Sequence, residues 1–198
     1  MNVMLDLFSG LGGASEAFAQ AGWTVIRIEN NPELQYVPFT QNWDVLKWES
    51  WADALPKVDL VWASPPCREF SNAYAAPGPS AQRANLEFEP DMRLVQASME
   101  IIEYLAPKYW VVENVIGAKK WFEFRQPTSF QQIGSFCLWK SPSVPHITIP
   151  YEFSHTKAEQ DTWSTDPLRA NKKAMIPFEV SFGLLGALTE QQTLEKWG

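Results

Sequence analysis

The sequence predicts an α/β fold, in which a mixed, mainly parallel sheet carries helices on both faces. The observation that supports this most directly lies at the start of the chain, where an apolar run at residues 2–8 precedes a glycine-rich turn at residues 9–13. A helix-like stretch at residues 14–21 leads to a second apolar run at residues 23–28, which ends at Glu29. Strand, glycine turn, helix, strand and acid is the order of a nucleotide-binding βαβ unit.

Alternating strands and helices continue as far as residue 117, and the pattern then changes to short strands with proline-rich connections. The segment at residues 91–106 has apolar residues at helical spacing. The predicted elements are a short strand within residues 39–45, a short helix at 48–55, a strand at 58–63, a long loop at 75–90, the helix at 91–106, a strand at 109–112, antiparallel strands at 129–139 and 147–153, a polar loop at 154–168 and a closing helix at 177–196.

The glycine turn together with Glu29 predicts an adenosine-containing ligand. Glycines allow the backbone to approach a ligand closely, and a carboxylate at the end of the second strand can accept hydrogen bonds from both hydroxyls of a ribose. The dinucleotide fingerprint would place a third glycine three residues after Gly12, where this chain has Ser15. That departure disfavours a dinucleotide and favours another adenosine ligand.

Cys67 is expected at the carboxyl end of a predicted strand. The apolar run at residues 58–63 is stopped by two prolines, which stiffen the turn, and the cysteine follows at once. Open α/β sheets bind ligands at this edge, so the thiol is a candidate nucleophile. The residues alone leave a buried structural cysteine equally open. Glu113 follows the strand at 109–112 and is expected at the same edge.

Composition sets limits on the size and class of the protein. A chain of 198 residues suits one domain with a sizeable core. Neither a signal peptide nor an apolar stretch long enough to span a membrane is evident. The two cysteines, Cys67 and Cys137, form neither a metal pattern nor a disulfide framework. We therefore expect a reduced, cytoplasmic protein without a membrane partner.

The net charge of −7 argues mildly against nucleic acid as a partner, because phosphate binding usually requires a basic face. This total is nevertheless compatible with a local basic cleft. Arg68, Arg83 and Arg93 lie in or near the long loop at residues 75–90. They form either a small basic cluster or ordinary solvated side chains.

Four short motifs follow one another along the first part of the chain: Asp-Leu-Phe-Ser-Gly-Leu-Gly-Gly at 6–13, Ile-Glu-Asn-Asn at 28–31, Pro-Cys-Arg-Glu-Phe-Ser at 66–71 and Glu-Asn-Val at 113–115. In these motifs, their order and their spacing, the chain resembles the cytosine-5 DNA methyltransferases over residues 3–117. The resemblance implies a Rossmann-like, class I S-adenosylmethionine-dependent methyltransferase. In that reading residues 1–198 form a single domain, with a cofactor-binding and catalytic core at 1–117 and a reduced C-terminal region at 118–198. In order along the chain, the four motifs are similar to the family's two cofactor motifs, its catalytic Pro-Cys motif and its Glu-Asn-Val motif.

The resemblance also implies a reaction and the residues that perform it. Cys67 would add to carbon 6 of cytosine as a thiolate, so that carbon 5 can attack the methyl group of S-adenosylmethionine and leave S-adenosylhomocysteine. Glu113 would hold the ring at nitrogen 3 and the exocyclic amine, and it must be protonated or share a proton. DNA is the implied partner, with the target cytosine flipped out or single-stranded. The implied cofactor-binding residues are Asp6, Phe8, Gly10, Leu11, Gly12, Glu29, Asn30, Asp44 and Pro66.

The C-terminal third departs from the family. A Gln-Arg-Arg motif is absent, and Gln131 and Gln132 lie near its expected place without arginines. Residues 139–169 leave room for only a small target-recognition segment, and residues 169–185 look like the tail of short, phage-type members. Two alternatives therefore stay open: a catalytically incomplete subunit that needs a protein partner for DNA recognition, or a methyltransferase that acts on RNA or a nucleotide. Restriction protection, self-marking by a phage and regulation all fit the sequence.

Overall fold

Seven strands run through the part of the chain that the computed structural model describes, residues 2–149 and 165–197. They are β1 (Val3–Leu7), β2 (Thr24–Ile28), β3 (Thr40–Gln41), β4 (Leu60–Ala63), β5 (Tyr109–Asn114), β6 (Ser129–Ile133) and β7 (Phe136–Lys140). They form one sheet in the order β3-β2-β1-β4-β5-β7-β6. The strands from β1 to β5 are parallel, whereas β7 runs antiparallel to β5 and β6. The predicted mixed, mainly parallel sheet is confirmed.

Helices cover both faces of the sheet, as predicted. The apolar side chains of α3 pack on one face, and those of α1 and α5 pack on the other. No helix in the described ranges combines the length and the apolar character that crossing a membrane requires. The helices are α1 (Glu16–Gln20), α2 (Pro77–Arg83), α3 (Arg93–Leu105), α4 (Arg169–Ala174) and α5 (Phe178–Trp197).

The central strands are buried on both faces, which explains their near-continuous apolar sequences. Every residue of β1 and β4 is buried. Along β1, Leu5 and Leu7 join the core on the α3 face, whereas Met4 joins the core on the α1 and α5 face. Burying a side chain of this size contributes about 1.5–3 kcal/mol, so the centre of the sheet is a firm support for the loops at its edge.

The strand register aligns four carboxyl ends at one edge of the sheet. Leu7 lies opposite Ile28 on one side and opposite Ala63 on the other, and Ala63 lies opposite Val112. The loops that follow β1, β2 and β4, together with the last residues of β5, therefore meet at this edge. Those are the segments in which the sequence places most of the candidate functional residues.

Several local predictions were wrong. The predicted loop at residues 75–90 contains α2, because Pro77 occupies the first helical turn, where its missing N–H costs nothing. Two 3₁₀ segments, Val45–Ser50 and Ala52–Ala54, replace the predicted short helix. By contrast, the short strand predicted within residues 39–45 is confirmed as the two residues of β3. The helix α4 was not predicted at all.

The C-terminal predictions are confirmed in part. The segment predicted as one strand at residues 129–139 forms two strands, β6 and β7, which pair antiparallel across a turn. The predicted closing helix is confirmed as α5. Residues 147–149 of the strand predicted at 147–153 are not in a strand. The rest of that prediction, with residues 154–164 of the predicted polar loop, lies outside the described residues.

Candidate active site

A cavity of about 490 Å³ opens at the carboxyl edge of the sheet. Apart from Gly12, every site residue predicted from the sequence lines it. The structure thus brings the glycine turn, the end of β2, the cysteine loop and the end of β5 to one space. The lining includes Asp6, Phe8, Gly10, Leu11, Glu29, Asn30, Asp44, Pro66, Cys67 and Glu113.

The glycine turn and Glu29 hold each other in place at one end of the cavity. Phe8 and Gly10 have positive φ angles of 60° and 53°, a region that most residues avoid. The Gly10 N–H donates to Glu29 Oε2 at 3.0 Å, and the Asn31 N–H donates to Glu29 Oε1 at 2.9 Å. Each carboxylate oxygen keeps a further lone pair, so Glu29 is oriented and can still accept hydrogen bonds from a ligand.

Gly12 faces away from the cavity, towards the buried side chain of Arg27. Its φ is 81°, and a Cβ atom on this residue would lie 2.5 Å from Arg27 Cζ. Any other residue here would be strained by this backbone conformation and would displace the Arg27 guanidinium. The prediction that Gly12 approaches the cofactor stays a prediction, and the structure adds a reason for this glycine that the sequence did not suggest.

Asp6 is a buried carboxylate in the cavity wall, with 1% of its surface exposed. Its Oδ2 accepts a hydrogen bond from Ser15 Oγ at 2.6 Å, whereas its Oδ1 has no hydrogen-bond partner within the described residues. Burial raises the pKa of Asp6 to about 6; the Ser15 hydrogen bond and the charge of Arg27 oppose this rise, and the charge of Glu29 adds to it.

Asp44 lies beside an aromatic wall that the sequence analysis missed. Its Oδ1 accepts the N–H of Leu46 at 3.0 Å and so caps the 3₁₀ segment that follows. Trp43 lines the cavity and stacks on Trp51, with ring centroids 5.5 Å apart. Because the chain has ten tryptophans, no sequence signal distinguished Trp43 from those of the core.

Cys67 lies at the start of the 3₁₀ segment Cys67–Phe70, directly after the exposed Pro66. Cys67 is partly exposed and lines the same cavity as Glu113. Cys67 lies in the segment that follows β4, and Glu113 lies near the end of β5, the parallel strand next to β4 in the sheet. The interpretation of Cys67 as a buried structural cysteine is therefore not supported; Cys137, which is fully buried, fits that description.

Two contacts connect the cysteine loop to the end of β5. The buried Asn114 donates from Nδ2 to the Pro65 carbonyl at 2.9 Å and accepts the Val115 N–H at 2.9 Å. Further along, a Cβ atom on Gly117 would lie 2.0 Å from the Phe70 carbonyl oxygen, so the two loops pack backbone to backbone. Asn114 thus shapes the loop that carries the nucleophile, close to the carboxylate that precedes it in sequence.

The region near the absent Gln-Arg-Arg motif contributes to the cavity in another way. Gln131 is buried, and its side-chain amide forms two hydrogen bonds with the backbone of Ile147. Its Nε2 donates to the Ile147 carbonyl at 2.7 Å, and its Oε1 accepts the Ile147 N–H at 3.0 Å. It does not line the cavity. Ser135 and Phe136, at the turn between β6 and β7, do line it, and Ser135 Oγ is buried without a hydrogen-bond partner among the described residues.

The unpredicted helix α4 forms another wall of the cavity. Asn171, Lys173 and Ile176, in α4 and just after it, belong to the lining. A Cβ atom on Gly13 would lie 2.1 Å from the Ile176 carbonyl oxygen, so this C-terminal segment sits directly on the glycine turn. The contact joins residues 163 positions apart in the chain, which explains why local sequence patterns did not reveal it.

The three arginines of the suspected basic cluster have separate surroundings. Arg83 donates to the Tyr74 carbonyl at 2.7 Å and lies over the Tyr74 ring. Arg93 forms an exposed ion pair with Asp91 at 2.6 Å. Arg68 is the member that lines the cavity.

Comparison with known proteins connects this chain to one family. The profile of the C-5 cytosine-specific DNA methylase family matches residues 2–135. A "Probable DNA (cytosine-5)-methyltransferase" of Frog virus 3 (isolate Goorha) is 36% identical in an alignment 118 residues long, which covers 56% of this chain and 52% of the viral protein. The "Type II methyltransferase M.FnuDI" of Fusobacterium nucleatum is 29% identical over 119 residues, covering 58% of this chain and 32% of its own. The chain thus spans about half or less of these relatives.

The fold agrees with this result. The solved structure of the Entamoeba histolytica methyltransferase EhMeth aligns with 79% of this chain and 58% of its own, with a TM-score of 0.53 and 14% identity, which is a likeness of fold alone. The predicted Rossmann-like methyltransferase fold is confirmed. The family match extends from β1 to the turn after β6 and includes every predicted site residue. The chain belongs to the C-5 cytosine-specific DNA methylase family.

Proposed function

We propose that this chain transfers a methyl group from S-adenosylmethionine to carbon 5 of cytosine in DNA, with S-adenosylhomocysteine as the other product. The observation that carries the proposal is the shared cavity, in which Cys67 and Glu113 lie together with the glycine turn and Glu29. A nucleophile, a carboxyl group and a nucleoside-binding turn in one space are what this reaction requires.

The polar atoms of the cavity suit S-adenosylmethionine. Asp6 Oδ1 and Ser9 Oγ are buried, lie in lining residues and have no hydrogen-bond partner within the described chain. Buried polar atoms are rarely left unpaired in a folded protein, so these atoms favour a bound ligand that carries donors and acceptors. When bound, S-adenosylmethionine supplies an electrophilic methyl group on a sulfonium.

The proposed contacts follow the walls of the cavity. Glu29 accepts hydrogen bonds from the ribose hydroxyls, and Asp44 accepts one from the adenine amine. Phe8 and Trp43 supply apolar surface for the adenine ring, and Pro66 lines the site of transfer. Gly10, Leu11 and Asn30 complete the lining.

Cys67 is the proposed nucleophile. Its thiolate forms a bond to carbon 6 of the cytosine, which breaks the 5,6 double bond and makes carbon 5 nucleophilic. After carbon 5 has taken up the methyl group, the proton on carbon 5 leaves to a base, the double bond re-forms, and the sulfur departs as thiolate. The covalent bond is thus made and broken once in each turnover.

Glu113 is the proposed partner of the pyrimidine ring. A protonated or proton-sharing carboxyl at nitrogen 3 offsets the negative charge that the ring acquires when the thiolate adds. It also accepts a hydrogen bond from the exocyclic amine. The target base must leave the duplex, or be single-stranded, to reach both residues.

In this proposal residues 1–198 act as one methyltransferase domain. Residues 1–117 supply the cofactor-binding and catalytic groups. Residues 118–198 form a reduced C-terminal region in which the β6–β7 turn and α4 supply cavity walls and α5 closes the fold.

Replacing Glu29 with alanine is expected to weaken binding of S-adenosylhomocysteine by about 1–3 kcal/mol, because hydrogen bonds to a charged group are lost. The change also removes the acceptor for the Gly10 and Asn31 N–H groups. Isothermal titration calorimetry measures the effect. Glu33→Ala, an exposed acid four residues away, is the control and should bind normally. Unchanged affinity of the Glu29 variant would place the ribose elsewhere.

A transfer assay with methyl-labelled S-adenosylmethionine tests the proposal as a whole. Duplex DNA, single-stranded DNA, RNA and cytidine nucleotides are offered in parallel, and the label is located by nucleoside analysis. We expect 5-methylcytosine in DNA. Label in RNA or in a free nucleotide alone would overturn the proposed acceptor.

A second candidate is a subunit that requires a protein partner for DNA recognition. The observations that favour it are the net charge of −7 and the use of Gln131 to bond Ile147 instead of to line the cavity. In this case the purified chain binds S-adenosylhomocysteine but leaves all four acceptors unlabelled. Transfer to DNA by the chain alone would exclude it.

A further inference from the structure

Arg27 is a buried cation next to the glycine turn, with 1% of its surface exposed. Its Nε donates to Ser15 Oγ at 2.9 Å, and its Nη1 donates to the Pro38 carbonyl at 3.0 Å. Its Nη2 donates to the Gly12 carbonyl at 3.1 Å and to Glu16 Oε2 at 3.0 Å. A buried charge is tolerated only when it is paired and hydrogen-bonded, and this guanidinium meets that condition through the glycine turn itself.

The backbone is shaped around this guanidinium. A Cβ atom on Gly12 would lie 2.5 Å from Arg27 Cζ, and 2.7 and 2.9 Å from its Nε and Nη1. On another side, Phe39 takes a positive φ of 66° and places its ring centroid 6.0 Å from Cζ. A shorter or differently shaped side chain at residue 27 would leave the Gly12 and Pro38 carbonyls without this donor.

Ser15 links Arg27 to Asp6. Its hydroxyl oxygen accepts from Arg27 Nε, so its single proton is free to donate to Asp6 Oδ2, at 2.6 Å. The other acceptor near this hydroxyl, the Gly12 carbonyl, is further away at 3.3 Å. The result is a directed chain of hydrogen bonds from a cation to a carboxylate, which leaves Asp6 Oδ1 as the oxygen without a partner among the described residues.

We propose that Arg27 is a positioning residue of the cofactor site, which acts through Ser15 to keep Asp6 ionised as an acceptor for the ammonium group of the ligand's amino-acid part. This inference rests on the proposed function, since the ligand is S-adenosylmethionine or its product. Arg27 does not touch the ligand. Its effect is to keep a buried carboxylate charged where burial alone would favour the neutral acid.

The charges around Asp6 give the sign of the pH dependence. Burial raises the pKa of Asp6 to about 6, and both the Ser15 hydrogen bond and Arg27 hold it lower than burial alone would. Glu29, at the end of β2, pushes it upward. Glu16 on α1 pairs with Arg27, and Arg68 and Lys173 line the same cavity. As the pH falls through 6, Asp6 gains a proton and loses its attraction for an ammonium group.

The experiment compares two ligands over pH 5–8. S-adenosylhomocysteine carries the ammonium group, whereas 5′-methylthioadenosine has the same nucleoside and lacks the amino-acid part. For the unaltered protein, the Kd of S-adenosylhomocysteine should be constant near pH 7–8 and rise about tenfold by pH 5, as an acid with this pKa becomes protonated. The Kd of 5′-methylthioadenosine should stay constant.

Ser15→Ala removes the hydroxyl that connects Arg27 to Asp6 and leaves Arg27 itself unchanged. We expect its Kd for S-adenosylhomocysteine to rise about tenfold at pH 7 and its pH profile to move to higher pH, with an unchanged Kd for 5′-methylthioadenosine. Arg27→Lys keeps the positive charge but loses the forked set of guanidinium N–H donors. We expect it to move the pH profile of S-adenosylhomocysteine binding in the same direction. Arg125→Lys makes the same change in an exposed ion pair with Glu103 and should match the unaltered protein.

Thermal unfolding of each variant shows whether it is folded. If Arg27→Lys does not fold, the inference is tested with Ser15→Ala alone. An equal loss of affinity for both ligands would indicate a purely structural role and would overturn the inference. If Ser15→Ala and the unaltered protein show the same pH dependence of the Kd for S-adenosylhomocysteine, the inference is also overturned. The proposed function is unaffected by that result. If the unaltered protein binds neither ligand, the proposed function and this inference fail together.

Discussion

Replacing Cys67 with serine is expected to lower the rate of methyl transfer by about a thousandfold or more and to leave the affinity for S-adenosylhomocysteine unchanged. The hydroxyl of serine ionises far less readily than a thiol, so it cannot add to carbon 6 at a useful rate. Cys67 is the first residue of a 3₁₀ segment at the cavity wall and is partly exposed. We therefore expect the fold to tolerate the substitution. Initial rates with labelled cofactor and calorimetry with the product measure the two quantities.

Cys137→Ala is the control for this result. Cys137 is fully buried in the core on the α3 face of the sheet, and burial, with a contribution from Glu113 that Lys119 opposes, raises the pKa of its thiol. We therefore expect this variant to lose some stability and to keep its activity. Turnover of the Cys67 variant at more than about a tenth of the original rate would rule out the covalent mechanism.

The second large effect is expected for Glu113→Gln, with a rate about 10²- to 10⁴-fold lower. The amide has nearly the same shape as the carboxyl group, but it cannot give a proton to nitrogen 3 or share one with it. Asn114, which connects this strand end to the cysteine loop, is untouched, so the loop geometry should be preserved. Single-turnover measurements separate this loss of chemistry from any change in DNA binding.

Glu123→Gln makes the same replacement at an exposed residue in the connection after β5 and should be fully active. If the Glu113 variant were as active as this control, the carboxyl group would have no part in the reaction. The proposed contacts between Glu113 and the target cytosine would then be wrong, even if Cys67 is the nucleophile.

The functional residues that the sequence revealed are those carried by short, local patterns. Cys67 lies shortly after the apolar strand β4, and Glu113 follows the apolar residues of β5. Parallel strands bring their carboxyl ends to one edge of the sheet, so a common location for the two residues could be predicted without side-chain detail. The glycine turn and Glu29 belong to one βαβ unit, and they are bonded directly, from the Gly10 N–H to the Glu29 carboxylate.

The features that the sequence did not reveal depend on contacts between distant residues or on ambiguous residue types. The packing of Ile176 on Gly13 joins the two ends of the fold. Arg27 interrupts an apolar strand, and its partners become apparent only when the turn wraps around it. The prolines of α2 suggest a loop, although Pro77 is acceptable in a first helical turn.

The most direct measurement is covalent trapping with single- and double-stranded DNA that contains 5-fluorocytosine, in the presence of S-adenosylmethionine. Fluorine cannot leave carbon 5 as a cation, so the sulfur cannot be expelled and the adduct should accumulate. We predict a cofactor-dependent adduct that peptide mapping assigns to Cys67. Cofactor binding without any adduct, or an adduct at another residue, would contradict the proposed mechanism.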